Sequence, residues 1–192
     1  MTPYTIPNLL TALRIVLIPV IVGLFYLPYG WGDTLACMLF ATAGITDSLD
    51  GYMARRMGQV SRLGTFLDPV ADKLIVATAL VLIVSHNPTW YVTLTAAVII
   101  GREIAISALR EWLAEIGSRT RLAVSVVAKF KTIAQIVGLS MMLFYQDLWG
   151  LPIYRIGLGL TVVAAVLTLW SMALYVKAAW PELSAQSHSE PP

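Results

Sequence analysis

A chain of 192 residues supports one domain, and this one is 58% hydrophobic, 12% charged and carries a formal charge of only +2. The charged fraction is about half that of an ordinary soluble domain. Together with a mean hydropathy of +0.76 it reads as an integral membrane protein with no nucleic-acid partner. The single cysteine, Cys37, lies in an apolar run; it excludes an internal disulfide and suits packing better than reactivity.

Turn-forming clusters break the chain at 28–33, 85–88 and 147–152, and basic clusters punctuate it elsewhere. The spacing predicts six helices near 7–27, 34–57, 68–85, 89–114, 122–146 and 152–178, each around the ~20 residues that a bilayer requires. The expectation is an all-α polytopic membrane protein, a single unit over 1–180 with a Ser- and Pro-rich disordered tail from Pro181 to Pro192.

Thr2 to Pro7 is short and suits the membrane interface. Asn8, Thr11 and Arg14 then step up the first helix at intervals of three. For Thr11, a bond to its own backbone and a site role are both open; for Arg14, snorkelling and a site role are both open. No basic stretch precedes this helix and Arg14 interrupts it, so it is not read as a cleaved signal peptide.

The second helix, taken over Met38 to Arg56, places Asp47, Asp50 and Ala54 on one face with Gly51 beside them. After a polar loop with Gln59, Ser61 and Arg62, Asp68-Pro69 reads as an N-cap followed by proline at the first helical position. Asp72 follows four residues on, sharing a face with Asp68. Two helix ends thus aim four carboxylates at one another. Such a group needs either protons or a cation. With only oxygen ligands on offer the cation is hard, Mg²⁺ or Mn²⁺, and two ions about 3.5–4 Å apart could clamp both oxygens of a phosphoryl transfer. Gly51 and Ala54 leave room for a large ligand, and the Arg55 fork suits a phosphate. Gly64 permits a backbone conformation or close approach that a side chain would block. Lys73 reads as snorkelling.

A second basic group comprises Arg102, Arg110, Arg119, Arg121, Lys129 and Lys131. Arg102 and Arg110 share a helical face, whereas Lys129 and Lys131, two apart, do not. Arg119 and Arg121 fit ordinary orientation toward anionic lipid, and Glu103 reads as a partner for a neighbouring arginine. His86 falls in a loop at the opposite end, away from any chemistry. The three turn-forming breaks lack Lys and Arg, so the positive-inside rule puts both termini and the Asp cluster in the cytoplasm. Arg155 is the exception, and Trp31, Trp90 and Trp149 mark the outer boundary. Only the last span, Ile156 to Val176, is free of charge. The other five carry ionisable residues near their cytoplasmic ends, the pattern of helices lining a cytoplasm-facing polar cavity.

The stretch from Asp47 to Asp72 fits D-x2-D-G-x2-A-R-x8-G-x3-D-x3-D without a gap, through Asp47, Asp50, Gly51, Ala54, Arg55, Gly64, Asp68 and Asp72. Here the chain resembles the CDP-alcohol phosphatidyltransferases, and the runs I-P-N-L-L-T-A-L-R, G-R-E-I-A-I-S-A-L-R-E-W and K-F-K-T-I-A-Q extend the likeness from Ile6 to Lys177. Its bacterial members acting on sn-glycerol 3-phosphate are the most similar. The resemblance implies transfer of a phosphatidyl group from CDP-diacylglycerol to that acceptor, in a homodimer of the bacterial inner membrane with its active site facing the cytoplasm. It implies a metal pair on Asp47, Asp50, Asp68 and Asp72, with Asp72 also the general base. It further implies a CDP-lipid site formed by Pro7, Asn8, Gly51, Ala54, Arg55, Ser61 and Gly64, and an acceptor-phosphate pocket formed by Arg110, Lys129 and Lys131. Serine, inositol or inositol phosphate stay open as acceptors, since the signature reads only the CDP-lipid half. A cation transporter using intramembrane Asp residues is the rival from another class.

Overall fold

Six helices carry the chain: α1 Ile6–Phe25, α2 Gly32–Met57, α3 Arg62–His86, α4 Trp90–Glu115, α5 Val126–Phe144 and α6 Ile153–Gln186. The computed structural model describes residues 6–57, 62–115 and 126–186, with side chains over 9–46, 64, 67–113, 115 and 130–180. No strand occurs among the described residues; a lone bridge between Leu148 and Leu151 closes the turn between α5 and α6. That turn places Trp149 and Gly150 at φ 52° and 79°, the left-handed conformation that a tight two-residue reversal requires at both positions.

The three turn-forming breaks meet at one end. Gln146 donates from its amide to the Gly30 carbonyl at 2.8 Å, joining the α5–α6 and α1–α2 connections. His86 is the last residue of α3, not a loop residue, and its ring packs on Phe25 and Tyr145 with centroids 5.6 and 4.1 Å apart. Tyr145 in turn meets Tyr154 of α6. The aromatic knot pins the ends of α1, α3 and α5 to the start of α6, which leaves the polar chemistry to the far end.

Two helix limits differ from expectation. α3 starts at Arg62, six residues before Asp68, so Pro69 lies inside the helix and Asp68 is no N-cap. Proline leaves the Thr65 carbonyl one turn back without its helical donor. Packing inside a bundle tolerates that loss, and Pro19 sits inside α1 in the same way. α6 likewise runs through Pro181 to Gln186, which corrects the reading of that part of the tail as disordered.

Phe40, Ile21, Ile83, Ile99, Leu139 and Leu143 form the fully buried core, with Ala36, Ala43 and Ala79 where helices approach closely. α1 is cradled by α2 and α3, and α5 packs most extensively on α6. At that crossing a Cβ on Gly157 would stand 2.7 Å from both the Gly138 carbonyl oxygen and the Met141 Cβ. Small residues that let two backbones touch are the usual device for joining helices in lipid. Gly157→Ala should therefore destabilise the protein by about 1–3 kcal/mol, read as a lower thermal midpoint in detergent; an unchanged midpoint would mean that the crossing opens freely.

The outside of the bundle is greasy. Trp90–Leu113 and Ile153–Trp180 are long and apolar enough to cross a membrane, yet only 22% and 28% of their apolar windows are buried. Leu94, Ile104, Val163, Val166 and Trp170 accordingly stand exposed, a surface that suits lipid and not water. Hydroxyls within the helices bond back to their own carbonyls, as Thr42 does to Met38 and Thr95 to Tyr91, both at 2.7 Å, which satisfies them without solvent. These features mark a membrane-associated chain.

Candidate active site

Two rungs join α1 to α3. Thr11 Oγ1 donates to Asp68 Oδ1, and Arg14 Nη1 donates to Asp72 Oδ1 in an ion pair. Thr11 and Arg14 lie one turn apart on α1, as Asp68 and Asp72 do on α3, so the four side chains meet in register. Both questions left open for α1 are thereby answered. The Thr11 hydroxyl reaches across to α3, and Arg14 is buried against a carboxylate instead of snorkelling out. A charge held in this way inside an apolar bundle is costly unless paired.

Beside the second rung opens a cavity of about 260 Å³, to which α1 gives Arg14, α2 gives Ala43 and Gly44, α3 gives Asp72 and Lys73, α4 gives Glu103, and α5 gives Lys131 and Gln135. Gly44 lets α2 approach α5 closely: a Cβ there would lie 3.0 Å from the Ile136 side chain. Lys73 faces this space as well as a smaller groove between α3 and α4.

Glu103 organises the opposite wall. Its Oε1 accepts from Arg102 Nη1 at 2.6 Å and pairs with Lys131 Nζ at 3.7 Å. Arg102 also donates to Ser171 Oγ at 3.1 Å, which ties α4 to α6. One carboxylate thus faces two cations, and the cavity's own lining, with Arg14, Lys73 and Lys131 against Asp72 and Glu103, keeps a net positive charge suited to an anion. The expected pairing of Glu103 with a neighbouring arginine is present, with Lys131 added.

Of the expected site residues, Asp72 and Lys131 line the cavity, and Asp68 sits one turn from Asp72. Gly64 is buried in the first turn of α3. Arg110 does not line the cavity; its guanidinium lies over the Tyr175 ring of α6 at 5.6 Å from the centroid, a cation–π contact. Asp47, Asp50, Gly51, Ala54 and Arg55 lie on the last turns of α2, Pro7 and Asn8 open α1, and Lys129 lies on α5; their side chains, and Ser61 altogether, lie outside the described residues. Among the described residues no three acidic, Cys or His groups gather. What α3 presents is a pair of hard oxygen donors one turn apart, beside a cavity whose lining has neither Cys nor His, a donor set that fits Mg²⁺ or Mn²⁺. Sequence reasoning missed Gln135, which stands among apolar residues with no partner at diagnostic spacing.

A family model described as CDP-alcohol phosphatidyltransferase matches residues 4–176, and the chain belongs to that family. That membership disposes of the cation-transporter reading. Over 183 residues the chain is 50% identical to proteins of Salmonella choleraesuis (strain SC-B67), Shigella flexneri serotype 5b (strain 8401) and Escherichia coli (strain K12). Each is named CDP-diacylglycerol--glycerol-3-phosphate 3-phosphatidyltransferase, and the match covers 95% of this chain and 99% of each relative.

Proposed function

We propose that this protein transfers the phosphatidyl group of CDP-diacylglycerol to the primary hydroxyl of sn-glycerol 3-phosphate, giving phosphatidylglycerophosphate and CMP. The near-full-length likeness to enzymes of that name carries the reading, and the cavity supports it by setting a carboxylate opposite a cationic wall. Lys131 takes the acceptor's phosphate, with Arg110 and Lys129 adding positive charge to that end of the protein. Asp72 accepts the proton of the attacking hydroxyl as the new oxygen–phosphorus bond forms and the bond to CMP breaks. Arg14 fixes the orientation of that carboxylate and balances its charge. Pro7, Asn8, Gly51, Ala54, Arg55, Ser61 and Gly64 seat the nucleotide and pyrophosphate of the donor. Asp47, Asp50, Asp68 and Asp72 would hold a pair of Mg²⁺ or Mn²⁺ ions, which when bound neutralise charge on the phosphoryl oxygens and on departing CMP.

All six helices span the bilayer in this reading, as a homodimer in the bacterial inner membrane with the cavity facing the cytoplasm. The acyl chains stay in lipid while the polar head enters the cavity, so a water-soluble acceptor meets an insoluble donor. Purified protein in detergent–lipid micelles should release CMP from CDP-diacylglycerol with sn-glycerol 3-phosphate, and not with serine, inositol or inositol phosphate. Chelation should stop release, and added Mg²⁺ or Mn²⁺ should restore it. CMP release with serine or inositol alone would replace the acceptor and keep the class.

A further inference from the structure

Lys131 and Gln135 stand four residues apart on α5, so both side chains face the cavity about 6 Å apart along the helix axis. They are among its most enclosed polar groups, at 8% and 7% exposure. Lys131 has a partner in Glu103. Gln135 makes no hydrogen bond among the described residues, and its amide is not sealed in protein but opens on the cavity. An amide that faces a cavity and has no protein partner can bond a polar group that enters it. An uncharged group that both donates and accepts is a poor holder for a phosphate but matches an alcohol, which also donates and accepts.

We propose that Gln135 is a specificity-determining residue that hydrogen-bonds the hydroxyl groups of the acceptor while Lys131 holds its phosphate. The inference rests on the acceptor reading above. One turn of α5 separates the two side chains, and a three-carbon acceptor phosphorylated at one end can span that gap with its hydroxyls toward Gln135. A site built around such a bond discriminates strongly against an analogue lacking the hydroxyl, because the amide is then left buried and unpaired.

The test sets the residue against the substrate. Wild-type protein is offered sn-glycerol 3-phosphate and 3-hydroxypropyl phosphate, which lacks only the secondary hydroxyl, and CMP release is followed for each. The wild type should favour glycerol phosphate by roughly tenfold or more in kcat/KM. Gln135→Met, of similar length but without the amide, should bring that ratio close to one by raising KM for glycerol phosphate, with KM for CDP-diacylglycerol unchanged. Gln135→Asn, one methylene short, should give an intermediate ratio, and it decides the matter if the Met variant does not insert. The proposal is overturned if wild type fails to discriminate, if either variant retains the wild-type ratio, or if a variant loses both acceptors equally, as a packing role would require. Wild-type protein that releases CMP with neither phosphate, but does so with serine or inositol, would overturn the acceptor reading itself, a result distinct from an unchanged ratio.

Discussion

Asp72→Asn should lower CMP release by about 10²–10⁴-fold, the usual contribution of a positioned general base, while the protein still inserts and binds CDP-diacylglycerol. The carboxamide keeps the shape of the side chain but cannot take the acceptor's proton. It also removes the negative charge from the Asp72 side of the ion pair with Arg14, whose side chain is 4% exposed. Breaking a fully buried pair costs about 3–5 kcal/mol, but the Asp72 side chain is 38% exposed, so the loss of stability here should be smaller. A thermal midpoint measured beside the turnover assay separates the two effects. Turnover within a few-fold of wild type in a stable Asp72→Asn protein would move the base elsewhere.

Lys131→Met should raise KM for sn-glycerol 3-phosphate by roughly 10–100-fold, the size expected for losing a hydrogen bond to a charged group. KM for CDP-diacylglycerol should stay where it was. Methionine replaces the apolar stem of the lysine, and Glu103 retains Arg102 at 2.6 Å, so the tie from α4 to α6 through Ser171 survives. The variant should consequently remain as stable as wild type. An unchanged acceptor KM would remove Lys131 from the phosphate pocket and leave Arg110 and Lys129 as the candidates.

The number and limits of the helices were largely legible because each apolar run is bounded by turn residues or basic clusters. The carboxylate signature was legible because its spacing is fixed within two adjacent segments. Local rules failed at Asp68-Pro69. Their pairing has the form of a helix start, but Asp68 spends its oxygen on Thr11 of another helix and α3 begins at Arg62. The expected end of α6 near 178, with Pro181 opening the tail, also came too early.

The sequence by itself determined the class of molecule and carried its carboxylate signature, since composition, periodicity and motif spacing are properties of neighbours along the chain. Tertiary structure alone decided what crosses between helices: that Thr11 and Arg14 bond the α3 carboxylates, that Lys131 joins Glu103, and that Arg110 lies over Tyr175. It also singled out Gln135, whose meaning depends on having no partner in an enclosed space. Partners on different helices, such as Thr11 and Asp68, are chosen by how the helices pack, and spacing along one helix carries no record of that choice.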